Sequence, residues 1–154
     1  SLVGRFVGAR DPDSVSDAVF SGILLASAYA LIAALAFLFA THSLVFMFLE
    51  PDSSAATLDL AIWSTQLNAF ILFIISWSGI LGGALRGAGD TYGAMTIFAT
   101  FWWFQFFLMF ILVRLVALAP DNVLAIHVFS LPLLLIAMMI RFRSGVWRKF
   151  KLTG

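Results

Sequence analysis

The sequence predicts an all-α, polytopic membrane helix bundle with four transmembrane helices, and three observations carry that prediction. The first is composition. Of 154 residues, 62% are hydrophobic and 11% charged, and the mean hydropathy is +1.05. Soluble domains run nearer half apolar and a quarter charged, so nine Lys/Arg and eight Asp/Glu cannot cover a core this apolar. The second is that four apolar runs each reach the roughly 20 residues that cross a bilayer. The third is charge. With the runs alternating across the bilayer, Arg5, Arg10, Arg86, Arg141, Arg143, Arg148, Lys149 and Lys151 gather on one side, leaving only Arg114 near the other.

The first run starts near Ala18 and stays uncharged to Leu49, too long for one span. Thr41-His-Ser43 suggests a break, giving a span to about Ala40 and an interfacial piece over Leu44–Leu49. Asp11-Pro-Asp-Ser-Val-Ser-Asp17 precedes it, with Ser14 and Asp17 spaced as a capping box. Gly22, Ala26, Ala30 and Ala34 form a ridge of small residues that lets a second helix approach closely. Glu50-Pro-Asp-Ser-Ser54 leads to the second span, about Leu60–Leu85. The third covers about Tyr92–Leu115 and the fourth about Val123–Ile140, with Ala119-Pro-Asp-Asn122 between them. Pro132 removes a backbone donor within the fourth span and is expected to kink it.

Between the second and third spans lies Gly82-Gly-Ala-Leu-Arg-Gly-Ala-Gly-Asp-Thr91, which reads as a helical hairpin. Gly87 and Gly89 are suited to the positive φ that ends a helix. Arg86 complements the C-terminal end of the helix dipole, and Asp90 or Thr91 can cap the next helix. By the positive-inside rule the basic side, and with it both ends of the chain, is cytoplasmic. The chain divides into a cytoplasmic link (1–17), a four-helix transmembrane part (18–143) and a basic cytoplasmic tail (144–154).

Without cysteine, disulfides and thiolate metal sites are excluded. No Ser/His/Asp set shares one membrane depth, and neither metal-ligand spacing nor a phosphate loop is present. An enzyme is therefore not expected, nor is a cofactor or a metal. The basic tail is too short for nucleic-acid binding; attraction to anionic lipid accounts for it.

Three segments carry a family resemblance. Ala84-Leu-Arg-Gly-Ala-Gly-Asp-Thr91 resembles the motif that follows the fourth helix of each lobe in multidrug and toxic compound extrusion (MATE) transporters. Val3-Gly-Arg-Phe-Val-Gly-Ala-Arg-Asp11 is similar to the family's link between the second and third helices of a lobe. Arg141-Phe-Arg-Ser-Gly-Val-Trp-Arg-Lys149 resembles the basic segment after the last helix. The chain departs from the family at Tyr92-Gly-Ala-Met95, where a Pro is frequent, and at Asp121–Ile126, where a Gly-rich start is common.

The resemblance implies two six-helix lobes, a central cleft and alternating access. The four spans would be helices three to six of one MATE-type lobe, with the carboxy-terminal lobe expected. Ser1 stands where a start Met would, so the remainder of the chain is expected upstream. The implied function is a secondary active antiporter that exports organic cations or drugs across the plasma (inner) membrane in exchange for protons or sodium ions. Alternatives are a lipid-linked-oligosaccharide flippase of the same superfamily or a structural four-helix membrane subunit.

Candidate substrate-binding residues follow from chemistry that suits a flat cation. Gln66, Phe70, Phe73 and Trp77 share one helical face, with Asp59 and Trp63 at its outer end. Gln105 shares another with Trp102, Phe98 and Met109. No Asp, Glu or Lys lies mid-span, so the coupling carboxylate is expected elsewhere in the protein, with Asp59 the candidate here. His127 and Ser130 lie on one side of the fourth span, where the His is expected to hydrogen-bond a neighbouring helix. Arg114 lies inside the apolar zone at a depth similar to that of Asp59, which predicts an Arg114–Asp59 pair. The hairpin residues Arg86, Gly87, Gly89 and Asp90 are expected to be structural.

Overall fold

The architecture is that of a computed structural model, and it describes residues 2–9, 11–50 and 53–149. Arg10 and Lys151, which enter the charge argument above, lie outside the described residues. The described residues form α1 (Leu2–Gly8), α2 (Pro12–Phe39), α3 (Thr41–Phe46), α4 (Ala55–Gly87), α5 (Thr91–Arg114), α6 (Pro120–Arg143) and a closing 3-10 turn (Val146–Lys149), with no strand among them. Four of these, α2, α4, α5 and α6, are long and apolar enough to cross a membrane.

Three of the four spanning helices begin three to six residues before their apolar runs do, and α5 one residue before, because flanking polar residues are taken up in caps and first turns. Asp11, rather than Ser14, caps α2: it accepts from the Ser14 N–H at 3.1 Å and the Ser14 hydroxyl at 2.5 Å. Those bonds hold the Asp11 carboxyl below its usual range, the hydroxyl contributing most. Ser54 caps α4 by accepting from the Thr57 N–H, and Pro120 occupies the first turn of α6, where its missing N–H leaves no helical bond unmade. α2 ends at Ala40 (φ −105°, ψ 17°), and the Thr41 hydroxyl bonds the Phe37 and Leu38 carbonyls at the break. The break is where the sequence suggests it, but the short helix that follows covers Thr41–Phe46, not Leu44–Leu49.

The central helix is α4, which packs against α2, α5 and α6. Its 33 residues span about 50 Å, whereas the hydrocarbon core is about 30 Å thick. It must therefore tilt or project. Its uncharged stretch is bounded by Asp59 and Arg86, which suit the two polar boundaries. α2 runs antiparallel to α4. Gly22 faces Ile80, where a Cβ would come within 3.3 Å of the isoleucine side chain. Farther along, the Trp77 indole N–H donates to the Ser27 hydroxyl at 2.8 Å, and Ala30 and Ala34 are buried. The small-residue ridge is thus the seam expected of it.

At the hairpin end of the bundle Val15, Leu81, Leu85, Met138 and Trp147 join one apolar core, with Val3, Phe6 and Val7 of α1 packed against it. Gly145 adopts φ +68° and starts the 3-10 turn. Trp147 folds back from that turn to stack on Phe142 with ring centroids 5.6 Å apart, donating to the Phe142 carbonyl. The Gly-x-Trp of the tail therefore anchors the end of α6 to the core.

Candidate functional site

The hairpin is a Schellman turn. The Asp90 N–H reaches back to the Leu85 carbonyl at 2.9 Å and the Gly89 N–H to the Arg86 carbonyl at 3.1 Å, the paired bonds that close a helix through a left-handed residue. That residue is Gly89, at φ +92°. Gly87 is the last residue of α4 and has no positive φ, so the expectation that both glycines supply the reversal is corrected. One left-handed residue suffices for this turn. Arg86 lies in the last helical turn as expected, with its guanidinium 6.0 Å from the centre of the Phe98 ring.

Asp90 does more than cap. Its Oδ1 accepts from the Gly93 N–H at 3.2 Å, starting α5. Both carboxylate oxygens also take a fork from Arg141 of α6: Nε to Oδ2 at 2.7 Å and a terminal guanidinium nitrogen to Oδ1 at 3.0 Å. Asp90 is 1% exposed. Two-point geometry of this kind is a property of arginine and carboxylate together. Gly93 makes room for it, because a Cβ there would lie 2.5 Å from Asp90 Oδ1 and 2.7 Å from Arg141 Nε. The ion pair expected between Arg114 and Asp59 is absent. Both side chains are exposed, and the only ion pair among the described residues is Asp90–Arg141. Sequence reasoning missed it, although helix alternation already puts Asp90 and Arg141 at the same end.

A second polar cluster lies in the seam between α5 and α6. Gln105, 2% exposed, donates from its amide nitrogen to the Ser130 hydroxyl at 2.6 Å and approaches His127 Nδ1 at 3.1 Å and the His127 carbonyl at 3.3 Å. Ser130 in turn donates to the His127 carbonyl. His127 thus does bond a neighbouring helix, as expected. The Gln105 carbonyl oxygen is buried without a partner, which costs about 1–3 kcal/mol in a protein interior. Gln105 therefore turns toward α6, while Trp102 is 48% exposed and meets Phe101 edge-on. The two do not share a wall.

On α4, Trp77 is engaged by α2, whereas Phe70 is 63% exposed and Gln66 is exposed with no hydrogen bond among the described residues. Asp59, Trp63, Gln66 and Phe70 follow at intervals of four, three and four, one face of a helix. The first two line a cavity of about 560 Å³, together with Ala56, Leu60, Pro120 and Asp121. Two acidic residues and a tryptophan thus line one cavity at the end of the bundle opposite the hairpin. The described residues hold no group of three or more metal-ligating side chains.

Four apolar spans, a clamped glycine hairpin and polar seams between helices define a multi-pass membrane protein. The MatE family model matches residues 1–101, about two thirds of the 154 residues, and the chain belongs to that family. Its members are membrane transporters, not enzymes, so this chain is part of the MATE superfamily of transporters acting on a substrate across a lipid bilayer. No curated protein and no solved structure matches it.

Proposed function

We propose that the protein is a secondary active antiporter that exports organic cations or drugs from the cell in exchange for protons or sodium ions. The observation that carries this reading is the stripe Asp59, Trp63, Gln66 and Phe70 on α4, whose first two members share a cavity with Asp121. A delocalised cation is attracted by the carboxylates and held against the indole and phenyl faces by stacking and cation–π contact, about 0.5–2 kcal/mol per ring. The exposed amide of Gln66 offers both a donor and an acceptor to polar substituents. Trp77, Trp102 and Gln105 have weaker claims. Trp77 and Gln105 are bound to neighbouring helices, and Trp102 stands apart from the stripe. The basic end of the bundle, with the hairpin and both chain ends, is assigned to the cytoplasm of the cell membrane by the positive-inside rule.

The test uses the full-length protein in proteoliposomes with a fluorescent organic cation and an imposed proton or sodium gradient. Gradient-driven flux is expected, with Asp59→Asn and Trp63→Ala each raising KM several-fold while Arg114→Gln leaves it unchanged. Flux that ignores both gradients, or variants at Asp59 and Trp63 that leave KM untouched, would overturn the reading.

A further inference from the structure

The α5–α6 seam contains a buried acceptor with nothing to accept. The amide nitrogen of Gln105 serves Ser130 and His127, Ser130 passes its own proton to the His127 carbonyl, and Gln105 Oε1 is left over. This arrangement fits one state of the imidazole. An amide N–H pointing at Nδ1 requires Nδ1 to be an acceptor, which places the ring proton on Nε2. A proton added at Nδ1 makes that nitrogen a donor facing a donor. Rotating the amide end for end puts Oε1 against Nδ1–H, and the Ser130 hydroxyl must then turn its proton from the His127 carbonyl to Oε1, 2.6 Å away in place of the amide nitrogen.

We propose that His127, Gln105 and Ser130 form a proton-binding site in the α5–α6 seam, in which a proton from water is taken up at His127 Nδ1 and received by the reversed Gln105 amide. The bookkeeping is one N–H bond formed, one positive charge gained on the imidazole and Nε2–H retained. His127 is half-buried and stands six residues, about 9 Å of helix, from Asp121 at the cavity. The charged groups of the packed elements at this end are Asp59 of α4, Arg114 of α5 and Asp121 of α6. None of them makes an ion pair or hydrogen bond with His127 among the described residues. The 3-10 turn that also touches α6 brings only Arg148 and Lys149, at the opposite end. The responsive element is α6 itself. Pro132, two residues beyond Ser130, has no N–H for the Val128 carbonyl, so the helix is weakest beside the site.

The site deepens the antiporter reading by giving it a place for a coupling proton, and it depends on that reading only for its link to transport. The experiment is therefore a direct titration. Full-length protein, labelled with nitrogen-15 at histidine, is reconstituted in lipid nanodiscs and followed from about pH 5 to about pH 8, the window in which histidine changes charge; His42→Gln assigns the signals. His127 is expected to be the Nε2–H tautomer at high pH and to gain a proton at Nδ1 within the window. Gln105→Leu should lower its proton affinity about tenfold, one pH unit, and Gln105→Glu should raise it. A His127 that stays neutral throughout in the unmodified protein, a neutral form carrying its proton on Nδ1, or a midpoint indifferent to both substitutions overturns the proposal. Titration as expected without flux driven by either a proton or a sodium gradient would uphold the site and sink the antiporter reading.

Discussion

Gly89, Gly87 and Gly93 have three different roles within seven residues. Gly89 is required by its backbone, at φ +92°, where a Cβ costs about 1–2 kcal/mol. Gly93 is required by its neighbours, through the close approach of Asp90 and Arg141. Gly87 is helical and half-buried, with no positive φ to require a glycine. Gly89→Ala should destabilise the protein by about 1 kcal/mol or more and Gly87→Ala by less, read as melting shifts in detergent; equal shifts would contradict the turn. Gly93→Ala should cost more than either, about 2 kcal/mol or above, because the ion pair must move as well. A comparison with the Gly93→Ala/Arg141→Ala double variant isolates that part: the glycine change should be milder once Arg141 is gone. Local chemistry of this kind is partly legible from sequence. The need for a left-handed residue follows from the Gly-Ala-Gly-Asp order, but which glycine bears it depends on where the last helical bond closes. Gly93 was not legible, since its constraint comes from the Asp90 carboxylate together with the Arg141 side chain that clamps it from 48 positions later.

Among the elements, the α4–α5 hairpin and the end of α6 behave as one unit through Asp90. A buried carboxylate left without its partner is more damaging than the pair is stabilising. Arg141→Gln should therefore lower stability by about 2–4 kcal/mol, and Asp90→Asn by less, because the amide oxygen still accepts one bond. The two together should be milder than their sum; strictly additive melting shifts would mean the fork contributes nothing. The helices themselves were legible from sequence because a span is an uncharged run bounded by punctuation. Their exact starts were not, since a polar residue in a first turn looks the same as one in a loop until its cap bond is known. Asp11 and Ser14 illustrate the point: either can cap, and the structure chooses the aspartate. The Arg114–Asp59 expectation failed for a related reason. Similar depth on neighbouring helices does not fix which faces meet, and α4 turns Asp59 to the cavity beside Pro120 and Asp121.

At the scale of the whole molecule, the bundle keeps large apolar side chains on its outside. Phe20, Phe39, Phe48, Phe129 and Trp103 are all exposed, an arrangement that in water would invite aggregation and in a bilayer needs no further cover. The class of fold followed from that excess of apolar surface, and the division of basic residues supplied an orientation. Cysteines placed at Ser53 and Ser144, in a sequence of 154 residues that has none, should react with a membrane-impermeant thiol reagent from opposite sides of the membrane, Ser53 from outside. Labelling of both from one side would remove the four-span topology. The candidate site was less legible. Spacing grouped Gln66, Phe70, Phe73 and Trp77 on one face with Asp59 and Trp63 at its outer end, although Trp77 is bound to α2, and it also grouped Gln105 with Trp102. Only the packing of α6 against α5 separates an amide that faces a histidine from an indole that faces outward.

The Asp90–Arg141 fork has a consequence for how the chain is made. Translation delivers the hairpin first, and Arg141 follows 51 positions after Asp90. During that interval the Asp90 carboxylate has its helix cap but not its cation. The nascent α4–α5 pair is thus incomplete until α6 inserts beside it and its last turn arrives. Assembly is thereby given a direction, with the carboxylate recording whether α6 has come home.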